Sequence, residues 1–434
     1  MAGLIAVLNA CNGSEKDATS SENPFFTEYS TPFGVPPFDK IKIEHYKPAF
    51  LKGMEEQKQE IETILNQRSM PDFENTIVAL DRSGQLLKKV SSVFYGLNSA
   101  HTSEEMQALS KELAPLLSKH RDDIKLNPRL FARVKEIYNR QKEFRLDKEQ
   151  TALLEETYKE FVRGGADLAP GKQEKLRAIN SEIALLQLTF GQNMLKETNA
   201  FQLVLEKQAD LAGLPVSLIT TAAESAKAAG KEGKWMFTLH NPSIMPFLQF
   251  SERRDLREKM LEAYLNRGNN ENEADNKEVV KKLVALRLQK AQLMGYNNYA
   301  AFVLEDRMAR NEANVYQLLD QIWKPALRKA KEEATDLQAA MKKDGIKGKL
   351  QSWDWRYYNE KVMKAKFDID ENQLRPYFKL ENVREGMFYV ANRLYGITFT
   401  ELKDIPKPHE EAIAFECKAV SYTHLRAHET VLDL

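Results

Sequence analysis

The chain has 434 residues, 42% of them hydrophobic and 29% charged, too apolar for a disordered polypeptide and long enough for several domains or one large helical body. Its 63 basic and 63 acidic side chains cancel, so bulk electrostatics select neither nucleic acid nor an anionic membrane surface. Nineteen glycines and sixteen prolines are few for this length, and two cysteines provide no disulfide framework, which favours long helices over a turn-rich β fold.

Residues 2–10 form a short apolar run that ends at Cys11 and gives way to polar Asn12, Gly13 and Ser14. Apolar run, small residue, cysteine is the order of a bacterial lipoprotein signal, with Leu8-Asn9-Ala10-Cys11 as its lipobox. Cleavage before Cys11 would expose the thiol-bearing residue for lipid attachment. The run lacks a basic flank and is too short to span a bilayer, and an ordinary apolar N-terminus is the other reading. With a lipid anchor the expected location is the bacterial periplasm or cell envelope; without a signal it is the cytoplasm. No other segment approaches the roughly 18 apolar residues of a membrane-spanning helix.

Residues 12–22 read as a solvated tether. Residues 23–38 hold four prolines and four phenylalanines, which points to an extended arm strapped across a body that buries the rings. From Asp39 onward Tyr46, Phe50, Met54, Ile61, Ile64 and Leu65 recur at the spacing of one helix face. Pro71-Asp72 breaks the series, and amphipathic helices are predicted over 75–100, 103–122, 127–141 and 147–163, the last ended by Gly164-Gly165. A long helix spans 172–196. Strand-like runs at 201–205 and 235–239 flank a helical 211–229, and Asn241-Pro242-Ser243 reads as a turn. Helices resume at 252–266 with Ser251 as cap, then at 276–294, 297–305 and 312–343. Val315, Leu318, Leu319, Ile322 and Trp323 stripe the last of these, and Pro325 should kink it or start a new helix. Another helix covers 381–395. Residues 397–402 and 412–420 alternate as strands, the second with Ile413, Phe415 and Cys417 on one face. Two such strands make a marginal sheet, expected to be only the beginning of one.

Seven aromatic residues crowd 353–378: Trp353, Trp355, Tyr357, Tyr358, Phe367, Tyr377 and Phe378. They read either as a platform for an extended ligand or as a wedge packing helices together. The seven histidines, His45, His101, His120, His240, His409, His424 and His428, offer no H-e-x-x-H zinc motif: His409-Glu410 and His428-Glu429 both lack the second histidine. His424 and His428 are spaced to share a helix face but have no third ligand. Cys417 reads as a structural thiol in mid-strand. Residues 345–349 lack the spacing of a phosphate loop. Glu55-Glu56, Glu104-Glu105 and Glu332-Glu333 read as solvated helix faces. The residues themselves therefore assign no catalytic and no metal-binding position.

Several longer motifs carry a resemblance. Trp353-Asp354-Trp355 with Tyr357-Tyr358, then Phe367-Asp368-Ile369-Asp370 and Leu374-Arg375-Pro376-Tyr377-Phe378, resemble the thimet oligopeptidase family of zinc peptidases. Met70-Pro71-Asp72-Phe73-Glu74-Asn75-Thr76 and Gly295-Tyr296-Asn297-Asn298-Tyr299-Ala300 are similar to it as well. His45-Tyr46-Lys47-Pro48-Ala49-Phe50 and Ser92-Val93-Phe94-Tyr95 point within it to the bacterial peptidyl-dipeptidase (dipeptidyl carboxypeptidase) branch. The resemblance implies a mainly α, two-lobed ellipsoid with a central channel. It also implies zinc held by H-E-x-x-H and a further Glu, and short peptides as substrates that lose C-terminal dipeptides. Those ligands have no counterpart here, so the chain is expected to be C-terminally truncated, to bind no zinc and to be inactive; the complete protein is expected to be a monomer without nucleic-acid partners. The expected organisation is a signal and tether at 1–22, a helical domain with its arm at 23–250, and helices leading into an incomplete catalytic domain at 251–420. Residues 421–434 do not resemble the family and are expected to be a non-native tail. The rival expectation is a non-catalytic helical protein that binds or scaffolds peptides.

Overall fold

The structure, a computed structural model, describes residues 23–368, 371–419 and 424–425. Cys11 lies outside them, as does residue 428 and most of the 421–434 tail. Helices dominate, and the strands form two small antiparallel sheets, as the low glycine and proline content requires.

The arm of residues 23–42 contains two short 3-10 turns, Pro24–Phe26 and Pro32–Gly34, and leads into α1 (Ile43–Leu65). The helix expected over 75–100 is divided. Asp72 caps a π-helical turn, Phe73–Val78, by accepting from the Asn75 N–H at 2.7 Å. The chain then breaks at Gly84, whose φ of +74° disfavours any side chain and where a Cβ would have to displace the end of the Gln57 side chain. Then come α2 (Gln85–Ala100), α3 (Glu104–Lys125), α4 (Pro128–Asn139), α5 (Lys148–Arg163) and the long α6 (Pro170–Ala200). β1 (Leu203–Leu205) pairs antiparallel with β2 (Trp235–Phe237) across α7 (Val216–Ala228).

Two further expectations are corrected, and of the two outcomes expected at Pro325 the start of a new helix does not occur. Asn241-Pro242-Ser243 opens a helix, α8 (Asn241–Phe250), because proline at its second position costs no intrahelical hydrogen bond. The next helix, α9 (Arg254–Leu265), starts after Ser251, whose hydroxyl accepts from the Arg253 N–H without being its cap. After α10 (Lys277–Leu293) and α11 (Tyr299–Leu304), α12 (Glu312–Lys343) runs through Pro325 as one helix. The carbonyl that Pro325 leaves unbonded belongs to exposed Gln321, where water can satisfy it. The aromatic stretch begins on α13 (Ser352–Phe367), and α14 (Leu380–Tyr395) precedes the second sheet of β3 (Thr398–Leu402), β4 (Ala414–Lys418) and β5 (His424–Leu425). Its register sets Phe399 opposite Cys417 and Lys418 opposite His424.

The chain folds as two compact units, Met1–Ala166 with Met387–Leu434, and Asp167–Gly386. In the first, Phe25, Tyr46, Phe50 and Phe94 form one core, and Ile61, Phe73, Leu130 and Phe161 another. Phe388 stacks on Phe399 at 4.1 Å there, fixing α14 on the sheet. In the second, Leu203, Phe237, Phe247 and Met260 form the main core, and Leu337, Met341 and Tyr358 a smaller one.

Candidate functional site

The aromatic stretch is where the second unit concentrates its buried charge. Asp354, the third residue of α13, has no exposed surface. Arg254 of α9 donates to both its oxygens at 2.9 and 2.8 Å, and Arg257, one turn on and equally buried, donates to one at 3.0 Å. The Gln351 N–H adds a fourth bond at 3.0 Å. Arg257 also donates to the carbonyls of Ser251 and Trp353, at 2.6 and 3.1 Å, and lies 4.1 Å from the Tyr357 ring centre. Burial alone would raise the Asp354 carboxyl, but these hydrogen bonds outweigh it and hold the group below the usual carboxylate range.

Such a carboxylate is a poor base, because its lone pairs are committed to two guanidinium groups and an amide. The arrangement joins α9, α13 and the segment after α8 at one point. Glu197 of α6 is a second buried carboxylate of the same kind. It accepts from the Gly268 N–H and from the Asn270 and Asn272 side chains at 2.9 and 2.7 Å. Burial pushes it up; the hydrogen bonds win and hold it low.

The aromatic stretch is part buried and part exposed, with Trp355 exposed between half-buried Trp353 and Tyr357. Tyr358 is buried and Trp353 and Tyr357 are half-buried, as a packing wedge requires. Phe367, Tyr377 and Phe378 are exposed at 59%, 73% and 68%.

The histidines are dispersed. His45 accepts from the Lys42 N–H, His120 bonds Gln57 at 2.7 Å, and His240 bonds Thr238 and Asn199. The His101 and His409 rings lie 5.0 Å apart. His424 stands in β5, and residue 428 lies outside the described residues. Among the described residues no three His, Cys, Asp or Glu side chains gather to hold a metal ion, and a zinc ligand set does not fit there. Cys417 is buried in β4, as a structural thiol should be. Glu55-Glu56, Glu104-Glu105 and Glu332-Glu333 lie on exposed or half-buried helix faces. No helix of the described residues is long and apolar enough to cross a membrane.

Residues 247–422, which contain the Arg–Asp cluster and the whole aromatic stretch, match Peptidase family M3. The dipeptidyl carboxypeptidase of Escherichia coli (strain K12) is 38% identical over 395 residues, covering 91% of this chain. The chain belongs to peptidase family M3. Oligopeptidase A of the same organism is a more distant M3 relative, 31% identical over 390 residues and 89% of this chain. The thimet-like oligopeptidase of Dictyostelium discoideum is 23% identical over 388 residues and 86% of this chain. The chain spans 58%, 57% and 56% of the length of these three M3 relatives.

No sequence pattern singles out Arg254 and Arg257, although both lie in the M3-matched region. Arg253-Arg254-Asp255-Leu256-Arg257 is as charge-rich as any solvated helix face, and the one local feature that could have pointed to a buried cation is Asp354 set between two large apolar side chains, Trp353 and Trp355.

Proposed function

We propose that the protein is a zinc peptidase of the peptidyl-dipeptidase type, which binds short peptides and releases C-terminal dipeptides. What supports this reading most is the gradient of identity, 38% to a dipeptidyl carboxypeptidase against 31% to an oligopeptidase A over nearly the same stretch. Zinc is implied by the M3 family, and the described residues are assigned no part in holding it. The Arg254–Asp354–Arg257 cluster serves as a positioning element for α9 and α13. The 434 residues as they stand bind no catalytic zinc and cleave nothing in this reading, since H-E-x-x-H does not occur among them. Lipidation at Cys11, a periplasmic location and a monomeric state belong to the same proposal.

The test is incubation of the product of the complete gene, and of the 434-residue polypeptide, with N-blocked peptides of four to ten residues, followed by mass spectrometry and zinc analysis. The complete product should release successive C-terminal dipeptides, and the 434-residue polypeptide should bind substoichiometric zinc and leave the peptides intact. Internal cleavage by the complete product would favour an oligopeptidase. Stoichiometric zinc with cleavage by the 434 residues would overturn the reading of this chain.

A further inference from the structure

Among the described residues, the buried apolar side chains beyond Phe302 are Leu337, Met341, Tyr358 and Cys417. Yet α12, α13 and α14 all lie beyond it and all carry large apolar residues. The first half of α12 is the extreme case. Tyr316, Leu318, Leu319, Ile322, Trp323 and Leu327 are all exposed, Trp323 at 62% and Leu318 at 57%. Leu318, Leu319, Ile322 and Trp323 follow the three-and-four spacing of a single helix face. A helix meant to stand in water does not place a tryptophan, an isoleucine and two leucines there; a contiguous apolar stripe of this size marks an interaction surface. The second half of the same helix is packed in the ordinary way, with Leu337 and Met341 against Tyr358. The helix is therefore correctly seated at one end and uncovered at the other.

The surroundings of the stripe select among occupants. Between Glu312 and Pro325 the charged residues are Glu312, Asp320 and Lys324. With no basic excess, that half of the helix lacks the charge pattern of one lying on an anionic lipid surface. An apolar stripe rimmed by Gln317, Asp320, Gln321 and Lys324 has the make-up of a protein–protein contact. The region matching Peptidase family M3 includes all of α12, and the matched relatives are longer than this chain, which spans 58% of the dipeptidyl carboxypeptidase.

We propose that the Leu318–Leu319–Ile322–Trp323 face of α12 is the seat of the polypeptide that makes up the rest of an M3 peptidase, the part outside the matched 58%. The inference rests on family membership and on the exposed stripe. It does not depend on which peptide bond the protein cleaves.

The experiment coexpresses the 434-residue chain with the unmatched portion of the Escherichia coli dipeptidyl carboxypeptidase and reads complex formation by native mass and hydrogen exchange. The expected result is a one-to-one complex in which amides of residues 315–327 exchange roughly tenfold more slowly, or slower still, than in the chain alone. A Leu319→Glu/Trp323→Glu variant should lose the complex. Both side chains are exposed, so it should keep the parent's far-ultraviolet circular dichroism and the slow exchange around Leu337. Absence of a complex, unchanged exchange at 315–327, or a variant that still binds would overturn the proposal. So would a homodimer of the chain alone that the double variant abolishes, since that assigns the stripe to a second copy. A complex with slowed exchange and no peptidase activity would leave this surface standing and count against the proposed hydrolysis alone.

Discussion

Asp354 and Arg257 are each buried almost completely, and neither would be stable there without the other. Removing a charge from water costs several kcal/mol, which a neighbouring charge offsets only when the hydrogen bonds around both are complete. Here they are: the carboxylate accepts from two guanidinium groups and an amide, and Arg257 also reaches two carbonyls. Asp354→Asn keeps the shape, removes the counter-charge and leaves Arg257 buried as an uncompensated cation. The expected loss is about 3–5 kcal/mol in urea unfolding followed by tryptophan fluorescence. A loss below about 0.5 kcal/mol would place the pair among ion pairs that contribute nothing. This cluster was not legible in the sequence. Asp354 entered only as part of a family motif between two tryptophans, and its partners lie about a hundred residues away on a helix whose charges look solvated, a distance that no local pattern encodes.

At the scale of elements, periodicity identified the long helices because each buries one face, and it failed where a single residue overrides the pattern. Gly84 splits one expected helix, and Pro242 and Pro246 concealed another, α8, which has a proline near its start and one inside. Periodicity also marked the stripe on α12 without being able to say that nothing in the described structure covers it. The arm follows its pattern only in part: its prolines deny it a ladder and Phe25 finds a floor, but the Phe33 ring stays exposed. Phe25 is buried, and Lys89 on α2 holds the arm by donating to the carbonyls of Phe25 and Thr27, at 3.2 and 2.7 Å, with its ammonium 3.8 Å from the Tyr29 ring centre. Burial lowers the Lys89 ammonium, and Glu28 opposes that shift. Lys89→Met keeps the apolar stem and removes the donors, so the arm should detach while α2 stays folded. Limited proteolysis should then cut within residues 23–42 roughly tenfold faster, since losing charged hydrogen bonds of about 1.5–3 kcal/mol raises the open population by at least that factor. An unchanged cleavage rate would show that Phe25 holds the arm by itself.

At the scale of the molecule, the two units have separate cores, so their stabilities should be separable by conditions that touch only one of them. His120 provides such a condition for the first. Its ring is buried on α3, Nε2 bonds Gln57, and Nδ1 has no partner. Burial pushes its pKa down, Lys58 and Lys119 push the same way, and Asp123 opposes them. The folded unit therefore prefers the neutral ring, while the unfolded chain takes up a proton near pH 6.5. The contribution is fully present above that value and is lost as pH falls below it toward the folded-state value. Asp354, also shifted down, keeps its contribution until pH approaches the ordinary carboxylate range, near 4. Between pH 7 and 5, calorimetry should thus show the first unit's transition moving to lower temperature. The second unit's transition should hold its place and be displaced instead by Asp354→Asn. In His120→Asn, an uncharged side chain that can still meet Gln57, the first transition should lose most of its pH dependence in that window. One cooperative transition that responds to both changes together would mean that the units unfold as one. An undiminished pH dependence in His120→Asn would assign the proton uptake to another group.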